Sequence, residues 1–154
     1  MSDELIAEFE QASGFKLTLV KAGDAGELTN KLVLTEDAPI ADAVFGVDTT
    51  FAGVAEEAGV IDGKLEAISF GDVCLNYDKA WFANKGVTAP SSLKQLTESK
   101  YKGLTVLTNP TTSSPGLSFL AATVSVFGES GWQDYWRALK ANGVKIAGGW
   151  EDAY

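Results

Sequence analysis

The sequence has no histidine among its 154 residues. That removes Ser-His-Asp and Cys-His catalysis, imidazole proton shuttling and His-ligated metals together. A single cysteine, Cys74, excludes an internal disulfide and any CxxC site. No apolar run reaches the roughly 18 residues a membrane-crossing helix needs. The start, Met1-Ser2-Asp3-Glu4, lacks the basic region and apolar stretch of a signal peptide. Basic residues are few, 12 against 21 acids for a net charge of −9. Phosphate backbones and anionic membranes repel such a chain, so no nucleic-acid partner is expected. Neither a P-loop Gly-Lys-Ser/Thr nor carboxylates paired at a recognisable spacing occur, so an enzyme is the weaker reading, and no cofactor or metal is expected.

What is present is an ordinary globular composition, 45% hydrophobic with 10% aromatic residues. A length of 154 residues fits one domain or two small lobes. Residues 1–72 hold 15 acids and 4 bases, whereas residues 73–154 hold 6 acids and 8 bases. The shift near Asp72 divides the chain into a first lobe, 1–72, and a second, 73–154.

Asp3 to Ala12 carries Leu5, Ile6, Phe9 and Ala12 at helical spacing, with Ser2 or Asp3 to cap it. Lys16 to Val20 alternates as a strand, and a second helix runs from about Ala25 to Leu34. Ala41 to Val47 reads as a short apolar strand before a helix over Phe51 to Ala58. Val73 to Tyr77 reads as a strand, with Cys74 a small hydrophobe within it, and Asp78 to Lys85 as a short helix. Leu104 to Thr108 is a strand, Leu117 to Phe127 an apolar helix buried on most sides, and Gly131 to Ala141 an amphipathic helix. Trp81, Trp132, Tyr135 and Trp136 have the spacing of core residues. Val144 to Ile146 forms a last strand, and Gly148-Gly149-Trp150 enters a new helix where the sequence stops, either because it is a segment of something longer or as a natural frayed tail. Strand-turn-helix repetition predicts an α/β fold with largely parallel strands.

Three strand-to-helix turns hold small polar or acidic residues: Gly23 to Gly26, Asp48 to Thr50, and Thr111 to Gly116. In parallel α/β folds such turns lie at the carboxyl ends of strands, where ligands bind. Helix N-terminal N–H groups there hold anionic oxygens, and the hydroxyls of Thr112, Ser113 and Ser114 add donors. The competing reading is plain N-capping, which favours the same residue types. Asp24 and Asp48, as carboxylates, accept from ligand N–H groups or attract a cationic ring. Trp150, between a glycine pair and a helix start, is either a stacking platform for a flat heterocycle or a cover on the core edge.

Four phrases together resemble a known family: Asp42-Ala-Val-Phe-Gly-Val-Asp48-Thr-Thr50, Gly71-Asp-Val-Cys-Leu-Asn-Tyr-Asp-Lys79, Asn109-Pro-Thr-Thr-Ser-Ser-Pro-Gly116 and Gly149-Trp-Glu-Asp-Ala-Tyr154. They are similar to the thiamine-binding proteins of bacterial ABC importers, which have the type II periplasmic binding fold. The resemblance implies a two-lobed clamp in the periplasm, or on the outer face of the envelope, that delivers thiamine or its phosphates to a membrane permease. By position it implies that Asp24, Ala25 and Ser113 face the phosphate or hydroxyethyl end. Trp150 would pack on the rings and Asp48 would line the cleft, with Thr112 and Ser114 as neighbours. Family members begin with an earlier strand and continue past Tyr154, so the resemblance covers their first half and implies an incomplete second sheet. Open strand edges of that kind invite self-association or pairing with the missing half. Two alternatives stay open: a structural or assembly module, and a carrier of a small phosphonate-like anion.

Overall fold

A computed structural model describes residues 1–154. Helix α1 (Asp3–Ser13) is set by its ends: the Ser2 side chain accepts from the Leu5 amide, Asp3 and Glu4 sit in the first turn, and Gly14 closes the helix in the left-handed region at φ 74°. Helices α2 (Ala25–Leu34) and α3 (Ala52–Glu57) pack on each other. Helix α4 (Lys79–Lys85) is capped by the Asp78 carboxylate and followed by Gly86. Two short 3-10 helices, Leu93–Thr97 and Ser99–Tyr101, lead into β1 (Val106–Thr108). Helices α5 (Ser114–Phe127) and α6 (Trp132–Ala141) then carry the chain to β2 (Lys145–Ala147), and α7 (Trp150–Ala153) ends it.

Strands β1 and β2 pair in parallel, Val106 beside Lys145 and Thr108 beside Ala147. The two-helix crossover between them buries the core: Leu96, Leu107, Phe119, Tyr135 and Leu139 form one cluster. Tyr135 and Leu139, one helical turn apart, point α6 into it. Phe119 meets Trp136 edge-on at 5.7 Å, Phe127 stacks on Tyr135 at 4.2 Å, and the Trp136 indole donates to Thr123 Oγ1. Burial pushes the Tyr135 phenol up to about 12, so it stays protonated and donates to the Leu93 carbonyl.

Several sequence expectations need correction. The α/β class with a parallel sheet holds, but only β1 and β2 form a ladder. Residues 16–20, 41–47 and 73–77 have strand patterning without a strand beside them, so they make no sheet hydrogen bonds. Alternation encodes which face a strand would bury; the strand itself exists only when a neighbour supplies donors and acceptors. Cys74 is accordingly exposed rather than packed. Helix α5 starts earlier than expected, at Ser114 with Pro115 in its first turn, and it buries one face rather than most. Tyr135 is in the core, whereas Trp81, Trp132 and Trp136 are half-buried.

The accessible surface is 11128 Å², with 14 of 154 residues buried. A compact monomer of this mass exposes roughly 7,500 Å². Apolar side chains without cover contribute to it, among them Phe15, Phe45, Ile68 and Phe70.

Candidate functional site

Asp24 stands at the N-terminus of α2 in extended backbone, yet its side chain does not cap that helix. Its Oδ2 instead accepts from the Ser113 hydroxyl at 2.6 Å and from the Trp150 amide at 3.0 Å. Neither Ser113 nor Gly149 caps its own helix by a side chain. One carboxylate therefore meets the starts of α5 and α7 from the start of α2, where each helix has unsatisfied N–H groups and partial positive charge.

The surrounding backbone is built for this approach. A Cβ at Gly26 would lie 2.6 Å from Phe51 Cζ and 2.8 Å from the Thr112 carbonyl carbon, and one at Gly149 would lie 3.1 Å from the Asp24 carboxyl carbon. Glycine at position 26 lets α2 seat directly on the 111–112 turn, where the Glu27 amide donates to the Thr112 carbonyl. The turn is held from within by Asn109, whose Oδ1 accepts from the amide and hydroxyl of Thr111. Thr112 Oγ1 donates to the Gly148 carbonyl at 2.6 Å, tying the turn to the segment that leads into α7.

Asp48, in the turn before α3, is in reach of Ser114. Its Oδ1 accepts from the amide and hydroxyl of Thr50. The buried Ser114 hydroxyl faces this carboxylate without closing a full hydrogen bond. Partial burial pushes the Asp48 carboxyl up, but contacts to Ser114, Thr50 and the Phe51 amide together hold it below the ordinary 3.8. A carboxyl whose folded value is lowered contributes stability that is fully present above 3.8 and is lost as pH falls through the lowered value. In Asp48→Asn, urea unfolding midpoints measured from pH 6 to pH 3 should fall less steeply than in the parent; equal slopes would contradict this role.

Trp150 is 51% exposed, and its indole stacks on Tyr154 with ring centres 4.9 Å apart. Tyr154 accepts in turn from the Asn76 amide group. The pair forms one end of an apolar groove of about 470 Å³ that also meets Pro115, Phe119 and Leu107. Thus Asp24, Thr112, Ser113 and Trp150 form one bonded assembly, Ala25 is the first residue of α2 beside it, and Asp48 reaches it through Ser114. Tyr154 and Asn76 were not singled out in the sequence. Tyr154 had a signal, an aromatic four residues after Trp150 on a short helix, where side chains share a face; Asn76 had none. No cluster of ligating side chains suited to a metal ion is present.

Chemically, the assembly offers a half-exposed indole stacked on Tyr154, on a residue whose backbone amide is bonded to the Asp24 carboxylate. The Ser113 hydroxyl and the first α7 amide are already committed to Asp24, so an added anion finds them occupied. A flat ring, above all a cationic one, matches what remains open.

The family model for bacterial extracellular solute-binding proteins matches residues 43–152, more than half of the chain. The chain belongs to this family. Among curated relatives, the thiamine-binding periplasmic protein of Salmonella typhimurium is 32% identical, over 95% of the chain and 48% of the relative. That of Escherichia coli is 30% identical, over 95% and 48%. The chain spans about half the length of the curated relatives it matches. A solved periplasmic thiamin binding protein superposes with a TM-score of 0.75 at 26% identity, over 97% of this chain and 51% of that one. The fold is thus the α/β, type II-like architecture of periplasmic binding proteins, and these relatives are themselves periplasmic.

Proposed function

We propose that the chain supplies the ligand-contacting part of a solute-binding component that takes thiamine, or a thiamine phosphate, and hands it to the membrane permease of an ABC importer. The observation that carries this reading is the Asp24 carboxylate bonded to both Ser113 Oγ and the Trp150 amide, which fixes an exposed indole beside negative charge. Thiamine joins a flat pyrimidine to a positively charged thiazolium, so both features have a partner on it. The relatives' names, thiamine-binding periplasmic proteins, support the same ligand. Residues 1–72 and 73–154 act as two lobes, with Asp24 on the first and Ser113 and Trp150 on the second. Its role is binding rather than catalysis, on the periplasmic or outer face of the envelope, without cofactor, metal or nucleic acid. The alternative of a small phosphonate-like anion is disfavoured, because such an anion has no flat ring to stack on the exposed Trp150 indole. Isothermal titration with thiamine and its phosphates, on this chain and on a form continued by the other half of the Salmonella relative, should give saturable heat with one ligand per site. No heat from either form would overturn the proposal.

A further inference from the structure

We propose that Tyr154 and Asn76 are positioning residues of the ligand site. Tyr154 backs one face of the Trp150 indole and Asn76 pins Tyr154 there, so a single indole face, in one orientation, is presented to a flat ligand. This role rests on Trp150 being the surface on which the proposed ligand stacks.

Backbone bonds fix where Trp150 begins, not where its ring points. Asp24 holds the Trp150 amide, and Thr112 holds the Gly148 carbonyl two residues earlier. Under such bonds the side-chain torsions of a tryptophan still have several staggered wells. Exposed side chains exchange among such wells in picoseconds to nanoseconds. Helix α7 adds little rigidity of its own, since it has four residues and helices that short are unstable alone. The orientation therefore comes from a neighbour. Tyr154 lies four residues on, where helical side chains share a face. Its ring centre stands 4.9 Å from that of the indole, with the planes 22° apart. Aromatic pairs at this spacing attract beyond what their buried area supplies.

Tyr154 by itself would be a poor brace. It is 77% exposed, so without a further tie its ring would leave the indole as readily as it met it. The tie is the bond that the Asn76 amide group donates to the Tyr154 phenol oxygen at 2.5 Å, across 78 residues of sequence. Asn76 belongs to the segment 73–77, which forms no strand. Asn76, Trp150 and Tyr154 all border the same groove of about 470 Å³. The brace thus joins the end of α7 to a distant part of the chain on the wall of that groove. With Tyr154 on one face, a ring stacking on Trp150 has the opposite face alone, and it meets an indole that is already ordered.

Fluorine NMR on the chain labelled with fluorotryptophan tests the brace without any ligand. The Trp150 resonance is the one lost in Trp150→Phe. Tyr154→Ala should move it to the position of a solvent-exposed tryptophan. Tyr154→Phe, which keeps the ring and loses the bond, and Asn76→Ala should each move it part of the way, to the same place. A resonance unmoved by Asn76→Ala or by Tyr154→Ala would overturn the proposal. Neither residue is in the core, so the resonance of Trp136, which packs against the core, should stay in place and report an intact fold.

Thiamine titration tests the consequence, on the chain alone and on the form continued by the other half of the Salmonella relative. Where the parent binds, Tyr154→Ala should weaken binding about tenfold and Asn76→Ala about threefold. Once Tyr154 is alanine, Asn76→Ala should add nothing. An equal loss from Asn76→Ala in both backgrounds would show Asn76 touching the ligand itself and would overturn the positioning role. So would affinities unchanged in all the variants. No binding by the parent in either form would sink the thiamine reading, while the fluorine result still decides the brace.

Discussion

Asp24→Ala should lower the folding stability of the chain by about 3 kcal/mol in urea titrations followed by circular dichroism. The carboxylate is charged, and both of its bonds are charge-assisted, a class stronger than neutral pairs. Its loss leaves the Ser113 hydroxyl, which is fully buried, without an acceptor. It also strips the first amide of α7 of its only side-chain partner. Unsatisfied buried donors carry the full cost of desolvation, which is why the effect exceeds that of removing an ordinary surface acid. Ser113→Ala alone should cost less, because Asp24 keeps the Trp150 amide and stays partly solvated. The double variant should therefore be more stable than the sum of the single losses predicts, with a coupling of about 1–2 kcal/mol. Strict additivity would show that the 2.6 Å contact carries no energy.

Trp150→Ala should weaken thiamine binding about 30-fold, equivalent to about 2 kcal/mol for a desolvated cation on an indole face. The indole is held in place from both ends, its amide by Asp24 and its ring by Tyr154. Little ordering entropy then remains to be lost when a ring settles on it. Trp150→Phe should recover part of the loss, since a smaller aromatic still stacks. Unchanged affinity in Trp150→Ala would redirect the site toward a small anion, which has no plane to stack.

These two residues also mark what the sequence made legible. The helices were readable because their ends are locally encoded: Ser2 and Asp78 cap by side chain, and Gly14 and Gly86 close in left-handed backbone. Of the aromatic residues that spacing placed in the core on α6, Tyr135 is buried, whereas Trp132 and Trp136 are half-buried, and Leu139 one turn after Tyr135 completes the buried face. Strands were readable only as alternation. Residues 16–20 and 73–77 have the pattern, yet ladder bonds depend on a neighbour that local composition does not specify.

For the site, the three turns and Trp150 were visible as small polar residues before helices, and the structure joins two of those turns directly. The role of Asp24 was not visible. Its residue type and position suit an N-cap, but its partners lie 89 and 126 residues away, and tertiary packing took the side chain from its own helix. The structure thus has an acid at one helix start accepting from the starts of two others.

The most direct measurement of the central claim is amide chemical-shift mapping during a thiamine titration of the isotopically labelled chain, run alone and continued by the other half of the Salmonella relative. Saturable shifts concentrated at Asp24, Ala25, Asp48, Ser113 and Trp150 are the predicted result. Saturable binding that moves only amides remote from these residues, or no binding in either form, would contradict it.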